Sequence, residues 1–309
     1  MKNFNNYLLF HQFVSRPFLK WAGGKRQLLP VIEENLPSTI DEIETYVEPF
    51  IGGGAVFFSL IGKYNFKKIY ISDINQELTL CYTCIQSSVD FVISELLKLI
   101  DEYPNSQEER KDYFYELRDK WNKSVGKIDS MNEVQRCERV AQTLFLNKTC
   151  FNGLFRVNKS GKFNVPTGNY KNPSFTTKRV LEEASKCLSK VQINTCSYKD
   201  CLEYVDENTF VYFDPPYRPL TNSSSFTSYS KSGFNDTNQQ ELADFYRELD
   251  AKGAKLLLSN SDPKFIDSED DFFDELYSGF TINRILANRA INSVGTGRGK
   301  ITELLIRNY

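Results

Sequence analysis

Phe210-Val211-Tyr212-Phe213 is a short apolar run that delivers Asp214-Pro215-Pro216-Tyr217. The run reads as a strand, and open α/β sheets place their ligands at the carboxyl ends of strands. An acid, a carbonyl and an aromatic ring at that point suit methylation of an aromatic amine. The amine lone pair must be freed from ring conjugation, and hydrogen bonds from the amine to Asp214 and to the Pro215 carbonyl oxygen promote this. The two prolines stiffen the turn and hold that carbonyl outward. Tyr217 can stack on a base, a contact generally worth ~1–3 kcal/mol. Alone, the string also fits a plain strand-ending turn with aspartate as an ordinary turn former.

A second cluster precedes it. Val47-Glu48-Pro49-Phe50-Ile51 leads into Gly52-Gly53-Gly54, where backbone without side chains lets a nucleoside approach and opens the next helix. Asp73 follows Gly52 by 21 residues, at the end of the next strand, where an acid can accept hydrogen bonds from ribose hydroxyls. Glycine turns with a downstream acid occur in many nucleotide-binding folds. The absence of a Gly-Lys-Ser/Thr phosphate loop disfavours a triphosphate. His11 is the only histidine, which disfavours histidine triads and multi-histidine metal sites, and its plain reading is an exposed or loosely packed side chain. Seven scattered cysteines do not form a disulfide framework. Cys81 and Cys84 lack a second pair for zinc and read as buried helical thiols, so no metal is expected.

Net charge is −2, which by itself argues against a nucleic-acid partner. Its distribution reverses that impression. No Asp or Glu lies between Glu138 and Glu182, whereas Arg139, Lys148, Arg156, Lys159, Lys162, Lys171, Lys178 and Arg179 all do. Such a stretch suits a polyanion, because phosphate repels carboxylates as it attracts lysine and arginine.

These groups require an α/β scaffold. The pattern predicts a helix near Arg26 to Asn35, a strand Thr45 to Glu48, a helix from Ala55 and a strand from Lys68 ending at Asp73. From Glu77 to about Asn147 the periodicity is mostly helical. Cys150 to Pro173 carries turn signals at Asn152-Gly153 and Ser160-Gly161 and predicts a hairpin or loop cluster. Strands are predicted at Thr209 to Phe213, Lys255 to Ser259, Phe280 to Leu286 and Thr302 to Ile306. Leu220 to Phe234 reads as a mobile loop, and Asp267 to Glu275 as solvated acidic surface. The expected organisation is a split α/β domain, 1–80 and 170–309, carrying a mostly helical insertion at 81–169 with a β-hairpin loop. At 309 residues and 40% hydrophobic, the chain can bury such a core. With no apolar run of about 18 residues and no leader-like start, it is expected to be a soluble cytoplasmic protein, not a membrane one.

Pro17-Phe18-Leu19-Lys20-Trp21-Ala22-Gly23-Gly24-Lys25-Arg26 completes the pattern. Together with Glu48-Pro49-Phe50, Asp73, Phe151-Asn152-Gly153-Leu154-Phe155-Arg156 and Asp214 to Tyr217, it resembles the Dam-type (D12 class) DNA N6-adenine methyltransferases, the GATC-methylating group of bacteria and phages. The likeness runs from about Arg16 to Tyr309 in that family's motif order. It implies a Rossmann-like methyltransferase fold using S-adenosyl-L-methionine, and a target-recognition insert. By this resemblance Trp21, Lys25, Phe50, Gly52, Gly54, Asp73 and Asp214 serve the cofactor. Asp214, Pro215, Pro216 and Tyr217 serve catalysis, and Lys20, Phe151, Asn152, Leu154, Arg156 and Pro166 meet DNA. Base-edge chemistry fits Arg156 as a bidentate guanine reader and Asn152 as a base contact. Phe151 fits a wedge that fills the stack as adenine leaves, with core packing the alternative for Phe151 and Leu154. Phe151 stands where tyrosine also occurs in the family, and residues 1 to about 15 have no assigned role.

The expected function is site-specific methyl transfer to N6 of a flipped-out adenine in double-stranded DNA, at GATC. The enzyme is expected to be a monomer, acting alone or beside a separate restriction endonuclease. The competing readings are transfer to cytosine N4, RNA adenine or protein glutamine, and a non-catalytic DNA-binding protein on the same fold.

Overall fold

The computed structural model describes residues 15–220, 234–288 and 300–309. Packing divides the chain into two units. The helical unit draws on residues up to Gly24 with Gly52–Lys63 and Asn75–Ile193, and the sheet unit on Lys25–Ile51, Tyr64–Ile74 and Asn194–Tyr309.

The sheet consists of β1 (Thr45–Glu48), β2 (Lys68–Asp73), β3 (Val191–Thr195), β4 (Thr209–Phe213), β5 (Lys255–Ser261), β6 (Thr281–Asn288) and β7 (Lys300–Arg307), in the order β3-β2-β1-β4-β5-β7-β6. β1 pairs in parallel with β2 and β4, and β4 with β5, while β7 runs antiparallel to both β5 and β6. Every residue of β1 and β4 is buried, which explains why β4 reads as a continuous apolar run rather than an alternating one. Strand order reverses between β1 and β4. The crevice beyond the carboxyl ends of these two strands is therefore the topological switch point, and Phe50 and Asp214 both follow it directly.

Beside the short α1 (Leu29–Glu34), α8 (Asp236–Ala251) buries Leu242, Tyr246 and Leu249 in a core with Val211, Phe213, Leu256, Leu258, Leu304 and Ile306. A capping box between Asn235 and Asn238 starts α8, satisfying backbone donors at its first turn. The short α9 (Phe272–Leu276) contributes Phe273.

In the helical unit, α2 (Ala55–Ile61) and α7 (Lys178–Leu188) join α3 (Gln76–Ser87), α4 (Val89–Asp101), α5 (Gln107–Asn122) and α6 (Glu133–Thr149). α6 is central and buries Val140, Ala141, Leu144, Phe145 and Leu146. All seven cysteines are free thiols, and Cys81 and Cys84 lie buried on α3. Residues 150–173 form a loop cluster with two isolated antiparallel bridges, Cys150 to Thr167 and Val157 to Phe163. No single helix among the described residues is long and apolar enough to cross a membrane.

Several expectations change. α1 begins three residues later than the periodicity suggests, and β3 and α7 add to the predicted elements; α7 carries a helical pattern of buried Val180, Leu181, Ala184 and Leu188 behind an N-cap at Thr177. The acidic run Asp267 to Glu275 is not simply solvated. Asp270 accepts from Arg218 at 2.7 Å, Asp274 from Arg284 at 2.6 Å, and Asp271 pairs with Lys264. His11 lies outside the described residues, as does the Ser/Thr-rich loop apart from Leu220 and Phe234.

Candidate active site

β4 ends at Phe213, and Asp214 leaves the sheet facing two donors. The Lys25 ammonium lies 2.7 Å from Asp214 Oδ1, and the Ser259 hydroxyl donates to the same oxygen at 3.1 Å. Among the described residues no donor reaches Asp214 Oδ2 or the Pro215 carbonyl oxygen. Burial raises the Asp214 carboxyl above the ordinary carboxylate range, against the opposing pull of Lys25 and Ser259. Lys25 is only 3% exposed, and its ammonium sits 4.4 Å from the centre of the Tyr217 ring. The Tyr217 hydroxyl donates to Glu303 Oε2 at 2.7 Å. Burial, then the charges of Asp214 and Glu303, hold the Tyr217 phenol well above its normal range, so it remains a donor.

The turn itself is fixed by two buried amides. Gln239 on α8 donates from Nε2 to the Pro216 carbonyl at 3.0 Å and accepts from Asn260 Nδ2 at 3.0 Å. Asn260 on β5 in turn accepts the Arg218 backbone N–H at 3.2 Å. Gln239 and Asn260 are fully buried, so each amide needs these partners, and together they hold the peptide groups on both sides of Tyr217. The Pro216 carbonyl is thereby occupied while that of Pro215 stays available. Ser259, Glu303, Gln239 and Asn260 were not legible as site residues. All are polar positions at the carboxyl edge of the sheet or on the covering helix, and only the strand register brings them to the motif.

Elsewhere in the sheet unit, Phe50 stacks on Tyr198 with ring centres 5.3 Å apart and meets Phe234 edge-on. Asp73 closes β2, and its carbonyl accepts the Cys196 N–H at 3.3 Å.

The remaining residues singled out by sequence lie in the helical unit. Asn147, fully buried on α6, joins two of their segments: its Oδ1 accepts the Lys20 N–H at 2.9 Å, and its Nδ2 donates to the carbonyls of Lys20 (2.9 Å) and Gly153 (3.1 Å). Gly153 has φ +63°, and a Cβ there would lie 2.8 Å from the Lys20 side chain, so the turn holds the lysine close. Trp21 stacks on Phe155 at 5.1 Å. Tyr82 donates its hydroxyl to the Gly52 carbonyl at 3.1 Å, and Gly54 takes φ +71° where a Cβ would meet that hydroxyl at 2.5 Å.

Phe151 is 54% exposed, so it does not pack into the core, and Leu154 is half-buried. Asn152, next to it, is exposed and takes φ 58°. The Phe151 N–H donates to the carbonyl of exposed Pro166 at 2.8 Å, tying the two ends of the loop cluster together. Arg156 donates from Nε to Asn164 Oδ1 at 2.8 Å, across the Val157–Phe163 bridge.

The acid-free stretch is less uniform than its sequence suggested. Arg139 is buried and forms a two-pronged ion pair with Glu77, while Lys178 and Arg179 pair with Glu182 and Glu183 along α7. These three are structural or already compensated. Lys148 differs: burial, then the charges of Arg16 and Lys20, hold its ammonium below the usual lysine range.

A family model described as D12 class N6 adenine-specific DNA methyltransferase matches residues 21–291. The chain is 52% identical to the type II methyltransferase M.MjaIII of Methanocaldococcus jannaschii, over 95% of this chain and 99% of that protein. It is 38% identical to the type II methyltransferase M1.LlaDCHI of Lactococcus lactis subsp. cremoris, over 98% and 99% respectively. A DNA adenine methylase of Vibrio cholerae is 34% identical over 94% of this chain and 95% of that protein.

Proposed function

Because the chain belongs to the D12 class N6 adenine-specific DNA methyltransferase family, we propose that it transfers a methyl group from S-adenosyl-L-methionine to N6 of a flipped-out adenine in double-stranded DNA, at GATC. The observation that carries this reading is the pair of open acceptors on a fixed turn. Asp214 Oδ2 and the Pro215 carbonyl oxygen have no donor among the described residues, while Lys25, Ser259, Gln239 and Asn260 hold everything around them.

The two hydrogens of an adenine amine match those two acceptors, which together turn the nitrogen lone pair out of conjugation. Tyr217 offers a ring on which the base can stack. S-adenosylmethionine fits the donor set, with an acid at the end of β2 for ribose hydroxyls and aromatic Phe50 at the switch point. When bound, it supplies an electrophilic methyl on a sulfonium. Alignment by the fixed turn then accounts for most of the acceleration, because the methyl is already activated. Trp21, Gly52 and Gly54 remain proposed cofactor residues of the helical unit. An amine buried in a duplex is out of reach, so the adenine must leave the stack.

Residues 81–169 are proposed as the DNA-recognition part, within a catalytic frame of 1–80 and 170–309. Exposed Phe151 suits a wedge, and Lys20, Asn152, Leu154 and Pro166 complete the proposed contacts. Arg156 is the proposed guanine reader. Arg156→Ala should therefore lower kcat/KM at the cognate site by ~1–3 kcal/mol and relax discrimination at one base pair. Competition between duplexes that differ at single positions reads this out, and a uniform loss across all sequences would reassign Arg156 to phosphate. The enzyme is proposed to act as a monomer in the cytoplasm, alone or beside a separate restriction endonuclease.

The reaction needs Asp214 ionised, and its carboxyl sits above the ordinary range. Activity is therefore expected to fall as pH drops through a value above the usual aspartate midpoint of about 4. A kcat profile against pH, flat down to that midpoint, would contradict this. The reading as a whole is tested by mapping methylated adenines in a host that expresses the chain. Modification confined to GATC is expected, and modification at another sequence would overturn the site while leaving the reaction.

A further inference from the structure

We propose that Glu303 is a positioning residue for methyl transfer, fixing the ring of Tyr217 in the orientation that receives the target base. The inference rests on the proposed reaction at Asp214 and Tyr217. Glu303 lies on β7, whose antiparallel pairing with β5 sets it opposite Ser261, at the carboxyl end of the parallel strands. Its neighbour Leu304 is buried in the core, so strand alternation turns the Glu303 carboxylate to the other face. There it accepts the Tyr217 hydroxyl at 2.7 Å.

Two contacts therefore define the ring. Glu303 holds its hydroxyl end, and the Lys25 ammonium lies over one face at 4.4 Å, so the proposed base would stack on the opposite face. A tyrosine without the first contact can swing about its χ angles, and the stacked geometry is populated less often. A half-buried carboxyl is an unfavourable choice for a strand end unless its oxygens meet a donor there, as the Tyr217 hydroxyl provides. Surrounding it and Asp214 are Lys25 from the segment before α1, Tyr212 on β4, Tyr217 on the turn and Ser259 on β5. Burial, then the charge of Asp214, raises the Glu303 carboxyl above the ordinary range, against the pull of Lys25 and the Tyr217 hydroxyl.

The test measures tritiated methyl transfer from S-adenosylmethionine into an adenine-containing duplex for wild type, Glu303→Leu, Glu303→Gln, Tyr217→Phe and the Tyr217→Phe/Glu303→Leu pair. Glu303→Leu and Tyr217→Phe should each lower kcat by about tenfold with the KM for the methyl donor little changed. The double variant should be no worse than either single one. Glu303→Gln, which keeps an acceptor and removes the charge, should recover most of the kcat that Glu303→Leu loses. Losses that multiply in the double variant would overturn the proposal, as would a Glu303→Gln enzyme no faster than Glu303→Leu. If Glu303→Leu does not fold, Tyr217→Phe decides, since full kcat without the hydroxyl also overturns it. Absence of transfer by wild type overturns the underlying reading as well, which separates the two failures.

Discussion

Asp214→Ala is expected to lower the rate of methyl transfer by about 10²–10³, an effect comparable with removing a preorganised acceptor or donor at a transition state. The carboxylate is the only charged acceptor that the turn presents, with Oδ1 already committed to Lys25 and Ser259 and Oδ2 open. On the proposed reaction, removing it takes away the hydrogen bond that draws the amine lone pair out of the ring. It also leaves the Lys25 ammonium, 3% exposed, without its 2.7 Å partner. Breaking a buried ion pair from one side is costly, so Asp214→Ala should also melt earlier than wild type. Lys25→Met in the Asp214→Ala background should restore part of that stability and none of the activity. Single-turnover rates and melting curves on the same preparations separate the two effects. Recovery of activity by the second substitution would show that the charge pair, not the acceptor, was responsible.

The largest effect on stability is expected at Arg139. Its guanidinium donates through Nε and Nη2 to both oxygens of Glu77 at 2.8 and 2.6 Å, and through Nη1 to the Trp121 carbonyl and the Ser124 hydroxyl. It also lies 4.0 Å from the Trp121 ring centre. One side chain thus ties the start of α3, the end of α5 and the middle of α6. Arg139→Ala removes all of these contacts and orphans a carboxylate, for a loss of about 3–5 kcal/mol in unfolding free energy. Lysine cannot reproduce the two-pronged geometry and should recover little of it. Denaturant unfolding measures this directly. Were Arg139 instead a phosphate contact, stability would hold and the salt dependence of DNA binding would weaken, by about 0.9 in its logarithmic slope.

Arg139 also shows where sequence reasoning reached its limit. A stretch without acids was legible, but the partner that neutralises Arg139 is 62 residues away on another helix. Only the packing of α3 against α6 reveals it. The local patterns were more informative where burial is continuous: β4 was placed to the residue because a central parallel strand reads as an apolar run, and β1, buried throughout although it carries Thr45 and Glu48, was placed by its position before the glycine turn. β3 was missed because Val191-Gln-Ile-Asn-Thr mixes polar and apolar residues at a sheet edge, with only Val191 buried. In the site, Asp214 to Tyr217 stood out by composition. Gln239 and Asn260, which hold that turn, are ordinary amides in sequence and gain their role from register alone. Phe151 and Phe155 looked alike as residues, and burial separates them: the first is exposed, the second packs against Trp21, Trp121 and Phe163.

The proposed reaction is methylation of adenine N6 in duplex DNA at Asp214 to Tyr217, with S-adenosylmethionine as donor. It is tested most directly by incubating the protein with tritiated donor and a GATC-containing duplex, digesting the DNA to nucleosides and identifying the labelled one. Label in N6-methyladenosine of the deoxy series, reduced to near background by Asp214→Ala, is the predicted result. Label in N4-methylcytosine, or equal labelling by wild type and Asp214→Ala, would contradict it.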